Sequence, residues 1–167
     1  MDNYSKNKRT TEEEEKSKGV KHNIRSKQKS SHNDIKYLIK GLCDINGLIR
    51  RNHSEALAQV GAAALPELIN ALLNSKNVIQ RRAAAKTIKL IEDPTALPHL
   101  IKALTNDSDY VVQFSAAGAI AIFGEAAVNH LIIILENPEY TEMQYGLAAW
   151  CLEFIGAKAH NAIKKAA

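Results

Sequence analysis

A five-residue pattern, Leu-Ile-x-x-Leu, recurs along the chain at almost constant spacing and constrains its fold more than any other feature. The steps between the first leucines of successive copies are 30, 32 and 31 residues. Those leucines are Leu38, Leu68, Leu100 and Leu131. A second landmark closes each unit, at Val60-Gly61, Ile91-Glu92, Phe123-Gly124 and Ile155-Gly156. A fixed period of this length is typical of solenoids, in which each repeat packs against its neighbours.

Each unit is predicted to form two helices joined by a short polar turn. Two of the first helices open on Ala-Leu-Pro, and proline is tolerated in a first helical turn because its missing N–H would be unpaired there. The links, such as 106–109, carry Asn, Asp and Ser, which cap helix starts. Gly61, Gly124 and Gly156 stand where a helix end favours a left-handed residue, so a further helix, the start of a fifth unit, is expected at Ala157.

The segment 91–104, IEDPTALPHLIKAL, resembles the short HEAT repeat of the phycobilisome-lyase-like class, whose usual pattern is I-G-D-x-x-A-L-P-x-L-x-x-A-L. The resemblance covers about residues 34–167. It implies an all-α, right-handed α-α superhelical solenoid of about four HEAT-like helix pairs plus a C-terminal helix. The family's recurrent arginine early in the second helix matches Arg50 and Arg81, whereas Gln113 and Tyr145 occupy that place later. The role of this arginine is therefore predicted to be absent from the later half.

The net charge of +4 belongs to residues 1–33, which are predicted to form a disordered, charged leader. The leader has nine basic and five acidic residues and lacks the apolar segment of a signal peptide. The predicted solenoid, 34–167, is neutral overall but polarised. Residues 34–105 have ten bases and six acids, and 106–157 have seven acids and no base. We therefore expect a cytoplasmic protein without a membrane partner, and a poor match for duplex nucleic acid, which needs a continuous basic track.

No recognised catalytic motif occurs in the sequence. Phosphate-binding glycine loops, nucleophile elbows, H-E-x-x-H and C-x-x-C are all absent. His99 and His130 occupy equivalent places in two units, but stacked helices would hold them about 10 Å apart, too far to share an ion. The sequence therefore predicts a protein that is not an enzyme, with no metal and no cofactor.

The candidate site is a stripe on the second helices, which in the resembled class line the concave face. Positions ten, six and two residues before each closing residue share one side of a helix, because they are four residues apart. The stripe begins basic and ends aromatic. Its predicted partner-binding residues are Arg51, Arg82, Lys86, Phe114, Trp150 and Phe154. Alternatively, the aromatic residues pack against 157–167 and complete the core, and the basic residues are only solvated.

Three functions remain open on this basis. The first is a non-catalytic scaffold or adaptor whose concave face binds a protein or peptide. The second is a bilin-lyase-like or phycobilisome-associated factor, in which the basic end holds propionates and the aromatic end the tetrapyrrole. Because such lyases are usually longer or made of two chains, this short unit would then need a partner. The third is association with nucleic acid through the basic leader. The oligomeric state is left open.

Overall fold

Four helix pairs follow one another along residues 32–166, the part of the chain that this computed structural model describes. Its helices are α1 (His32–Gly41), α2 (Gly47–Val60), α3 (Leu65–Asn74), α4 (Val78–Ile91), α5 (Leu97–Asn106), α6 (Tyr110–Ile120), α7 (Glu125–Glu136) and α8 (Glu142–Ala166). Short 3-10 turns link successive pairs at Gly61–Ala64, Pro94–Ala96 and Ala121–Phe123. No strand occurs in the described range, and the predicted all-α solenoid of four helix pairs is confirmed. The predicted leader, up to Ser31, lies outside the described residues. Helix α1 begins at His32, two residues before the predicted start of the solenoid at residue 34.

The helices form two layers around one continuous core. The second helices α2, α4, α6 and α8 pack side by side, and the first helices α1, α3 and α5 form the other layer. The repeated leucines fill the space between the layers, and Leu68, Leu100 and Leu131 are fully buried. Alanines such as Ala84 and Ala116 are also fully buried, which allows the second helices to approach closely. Each buried leucine contributes about 2 kcal/mol through the removal of apolar surface from water.

One equivalent residue near the start of each second helix reaches back to a backbone carbonyl at the preceding turn. Arg50 donates to the carbonyl of Asp44 (2.6 Å) and Arg81 to that of Ser75 (3.0 Å). In the later units the donors are the Gln113 amide, to Asp107 O at 2.7 Å, and the Tyr145 hydroxyl, to Asn137 O at 2.6 Å. The prediction that this role is absent from the later half is therefore wrong, because any donor of sufficient reach can satisfy the carbonyl.

The structure confirms only some of the predicted helix ends. Gly61 (φ 71°) and Gly124 (φ 60°) have positive φ as predicted, and Glu92 (φ 57°, ψ 26°) takes the left-handed conformation in the second unit. The helix does not end at Gly156: α8 continues to Ala166, so the separate C-terminal helix predicted from Ala157 does not form. The segment after Gly156 lacks a Leu-Ile-x-x-Leu pattern. With only alanines and Ile163 to bury in a new helix, little compensates for breaking α8.

Replacing Glu92 by glycine is expected to raise the free energy of unfolding. A side chain in the left-handed region costs about 1 kcal/mol, which glycine avoids. Part of this gain is lost because glycine has more freedom in the unfolded chain. We expect a net increase of about 0.5 kcal/mol in urea unfolding. Glu92→Ala is the control, since it keeps the Cβ and should give no gain; an equal gain from alanine would contradict the explanation.

A buried histidine makes the stability of the first helix pair depend on pH. The His53 ring is 5% exposed, packs edge-on to Tyr37 at 5.5 Å between centroids, and its Nδ1 makes no hydrogen bond to described residues. Gly41 leaves room for it, because a Cβ there would collide with the imidazole. Burial lowers the pKa of His53 below its usual 6.5, although the charge of Asp44 raises it.

The unfolded chain therefore binds more protons than the folded one below about pH 6.5, and stability is lost as the pH falls through and below that value. We expect the urea midpoint to fall between about pH 8 and about pH 5 more steeply in the wild type than in His53→Phe, which removes the titrating group. Equal slopes in the two proteins would contradict this prediction.

One described segment, Gly47–Asn74, is long and apolar enough to cross a membrane by length and composition alone. In the fold it comprises two helices, α2 and α3, separated by the turn that begins at Gly61. Leu57, Leu68 and Leu72 within it are fully buried in the solenoid. Packing in the core therefore accounts for its apolar composition.

Candidate functional site

Three aromatic rings form a continuous row on the exposed side of the second helices, which we call the aromatic row: Phe114 in α6, and Trp150 and Phe154 in α8. The Trp150 ring lies 5.9 Å from that of Phe114 and 5.8 Å from that of Phe154, between centroids. These distances are typical of interacting aromatic pairs. The side chains are 55%, 39% and 44% exposed, in chain order. The aromatic residues thus lie on the surface, and the alternative that they complete the core is not what the fold contains.

Local helix geometry and one hydrogen bond hold the row in place. Trp150 and Phe154 are one turn apart on α8, so their side chains project from the same side. Next to Trp150, the thiol of the fully buried Cys151 donates to the carbonyl of Ala117 in α6 at 3.3 Å. Burial raises the pKa of Cys151 to about 12, so its thiol stays protonated at neutral pH. This contact fixes α8 against α6 and places Trp150 beside Phe114.

Two glycines border the aromatic row. Gly118 lies one turn after Phe114 on α6, and Gly146 one turn before Trp150 on α8. A Cβ added at either glycine would meet no atom within 4 Å, so packing does not require a glycine there. Glycine within a helix costs about 1 kcal/mol relative to alanine. The two positions therefore leave open space next to the aromatic row, at a cost in stability that packing does not explain.

Positive charge lies on the neighbouring helix. Arg82 and Lys86 are exposed, one turn apart on α4, which packs directly against α6. Neither forms an ion pair within the described residues. The pKa of Lys86 is lowered, first by partial burial and then by the charges of Arg82, Arg50 and Lys89. Cations that repel one another in this way are suited to bind an anionic group.

Arg51, the remaining predicted residue, differs from the other five because it forms an ion pair. Its guanidinium donates to the Glu55 carboxylate at 2.8 Å, one turn along α2. Glu55 therefore offsets its charge locally. The structure thus brings Phe114, Trp150 and Phe154 together and leaves Arg51 in a surface ion pair. Gly118 and Gly146 occupy positions of the same predicted stripe, and the sequence alone did not indicate the open space beside them.

The histidines that were considered as a metal pair stay in separate helices, His99 in α5 and His130 in α7. Within residues 32–158, where side chains are described, no group of three or more His, Cys, Asp or Glu could hold a metal ion. Nothing in this range therefore points to a metal.

A curated protein from a cyanobacterial strain shares much of this sequence. The bilin biosynthesis protein MpeU of Synechococcus sp. (strain WH8020) is 45% identical over 140 residues. The match covers 79% of this chain and 47% of the relative. The chain thus spans about half the length of the relative that it matches.

This relative corrects one prediction. The absence of recognised catalytic motifs led to the expectation that the protein is not an enzyme, and a relative named for a biosynthetic role overturns that expectation. The inference failed because a motif search detects only chemistry that uses those motifs.

The repeat itself is matched independently. A family model for HEAT repeats matches residues 65–153, just over half of the chain, and this range runs from the start of α3 into α8. Its first residue coincides with the start of a helix pair, and its last lies within α8. The chain therefore belongs to the HEAT-repeat family.

Proposed function

We propose that this protein handles bilins and that its exposed second-helix face holds the tetrapyrrole. The aromatic row carries this proposal, because it offers a conjugated ring system a surface of three adjoining rings. The open space at Gly118 and Gly146 leaves room for a flat molecule beside the aromatic row. The 45% identity to a protein named for bilin biosynthesis supports this ligand class over others.

The cations on α4 complement the acidic groups of such a ligand. A bilin carries propionates on an otherwise apolar, conjugated chain. With the aromatic residues against its rings, Arg82 and Lys86 on the adjacent helix are the groups available to bind the propionates. A charge-assisted hydrogen bond of this kind contributes about 1.5–3 kcal/mol.

The reaction in which the bilin takes part is proposed to need a second polypeptide. The described part offers an exposed binding face without a covered cleft, as the exposure of Trp150 and Phe154 indicates. We infer that this chain supplies the bilin-holding face and that a partner chain completes the site.

Protein binding through the same face is a second candidate. Exposed tryptophan and phenylalanine side chains are typical anchors of protein interfaces, and 39–55% exposure of the row leaves it accessible. The proposed association with nucleic acid depends on the leader, which lies outside the described residues. The two candidates for the face differ in whether a free bilin binds in the absence of any protein partner.

Visible absorbance with a free bilin, such as biliverdin, tests the proposal. We expect the wild type to shift the long-wavelength band saturably. Lys86→Glu is expected to weaken binding about tenfold, since it replaces an attractive charge by a repulsive one. Lys102→Glu is the matched control: it makes the same charge change on an exposed residue of α5, in the other helix layer, and should bind like the wild type. An unchanged bilin spectrum with the wild type would reject the proposal.

A further inference from the structure

The last helix pair keeps core-type residues on a flank that no further helix of the described chain covers. In the first three units, the second leucine of the Leu-Ile-x-x-Leu pattern is 0% exposed, at Leu42, Leu72 and Leu104. Its equivalent in α7, Leu135, is 38% exposed. Ile132, one turn before it, is also 38% exposed, whereas its three equivalents are half-buried.

The second helix of the last pair repeats this contrast. The position occupied by Leu57, Ile88 and Ile120 is fully buried in the first three units. Its equivalent in α8, Leu152, is only half-buried, and Ala149 nearby is exposed. We call the surface formed by Ile132, Leu135, Ala149 and Leu152 the end face.

In the earlier units, the following helix pair approaches this flank. The Gln80 amide in α4 donates to the carbonyl of Ile39 in α1 at 2.9 Å. Two units later, the Gln144 amide in α8 donates to the carbonyl of Thr105 in α5 at 2.6 Å. Each contact lies at the C-terminal end of a first helix, beside Leu42 or Leu104. The shape that fits the end face is therefore another HEAT-type helix pair.

The distribution of charge restricts which helix pair can dock on the end face. The last helix pair, 125–166, has five acidic and three basic residues, so two end faces carry the same net charge and repel each other. The first helix pair, 32–60, has four basic and three acidic residues and therefore carries the opposite sign. At that end, Tyr37 in α1 is 63% exposed, while its equivalents in later first helices are half-buried.

We propose that the end face docks the α1–α2 end of a second copy of this chain, head to tail. The second copy then takes the place of the next helix pair. Its Tyr37 side lies against Ile132 and Leu135, and its net positive α1–α2 pair meets the net negative α7–α8 pair of the first copy. An assembly of any size keeps one free α1–α2 end and one free end face. It therefore extends with concentration instead of closing as a dimer. This inference is independent of the proposed bilin binding.

Sedimentation equilibrium of the full chain tests this arrangement. The weight-average mass is expected to rise above the monomer's 18.4 kDa with concentration and to fall when salt is added. Ile132→Glu is expected to return it to the monomer value. The matched control is Ile133→Glu, the same change at the next residue of α7, which is 59% exposed on another side of the helix and should associate like the wild type.

Mixing two variants separates head-to-tail docking from the alternatives. Tyr37→Glu blocks the head and Ile132→Glu the end face, so each variant alone should be monomeric and an equimolar mixture should form dimers that do not extend. Dimerisation of Tyr37→Glu alone would show tail-to-tail contact and overturn the proposal. A wild type that stays monomeric at every concentration would also overturn it.

Discussion

Arg81→Met is expected to lower the free energy of unfolding by about 3 kcal/mol, because it breaks a largely buried ion pair. The Arg81 guanidinium binds both oxygens of Asp107, at 2.7 and 2.9 Å, and the two side chains are only 11% and 7% exposed. Removing Arg81 leaves the Asp107 carboxylate without its bidentate partner in a place that water scarcely reaches. The carbonyl of Ser75 loses its donor as well. Urea unfolding measures the loss.

Two further variants make this prediction specific. Arg51→Met removes the same kind of residue from the exposed pair with Glu55, and it should change stability by less than about 0.5 kcal/mol. Adding Asp107→Asn to Arg81→Met should recover part of the loss, because the amide oxygen can still accept from Asp109 N without a buried charge. An equal cost for the two arginines would contradict the account of the second and third units as joined by a buried ion pair.

Gly118→Gln is expected to change stability and bilin binding in opposite directions. Glutamine favours a helix over glycine by about 0.5–1 kcal/mol, and nothing lies within 4 Å of the added Cβ, so the protein should become more stable. The same side chain fills the open space next to the aromatic row, so bilin affinity should fall by about tenfold or more. Thermal unfolding and bilin absorbance of one preparation measure the two effects.

Gly156→Gln is the control for this pair of effects. Gly156 also lies within α8 with open space around its Cβ, but it is two residues beyond Phe154 and so on another side of the helix. It should show the gain in stability and leave bilin binding unchanged. Equal bilin affinity of the two variants would mean that the open space at Gly118 has no part in binding.

The repeat period in the sequence predicts most of the fold. Leucines spaced by 30 to 32 residues located all four helix pairs, because each unit must bury the same positions against its neighbours. The structure differs from these predictions where a different residue type meets the same structural requirement. Glu92 takes the left-handed conformation predicted for glycine, and Gln113 and Tyr145 replace arginine as carbonyl donors.

The candidate site was predictable in position but not in exposure. The spacing of four residues placed Trp150 and Phe154 on one side of their helix. Whether this side faces solvent depended on the chain after Gly156, and local sequence does not decide between a break and a continued helix there. Because α8 runs on to Ala166, no separate helix of the described chain covers the aromatic row.

Trp150 fluorescence during a bilin titration tests the central claim most directly, because this is the chain's single tryptophan and it lies at the centre of the aromatic row. The account predicts saturable quenching of its emission in step with the change in bilin absorbance, corrected with a tryptophan analogue of equal absorbance. A change in the bilin spectrum with Trp150 emission unaffected would place the ligand elsewhere, and no change in either would contradict bilin binding itself.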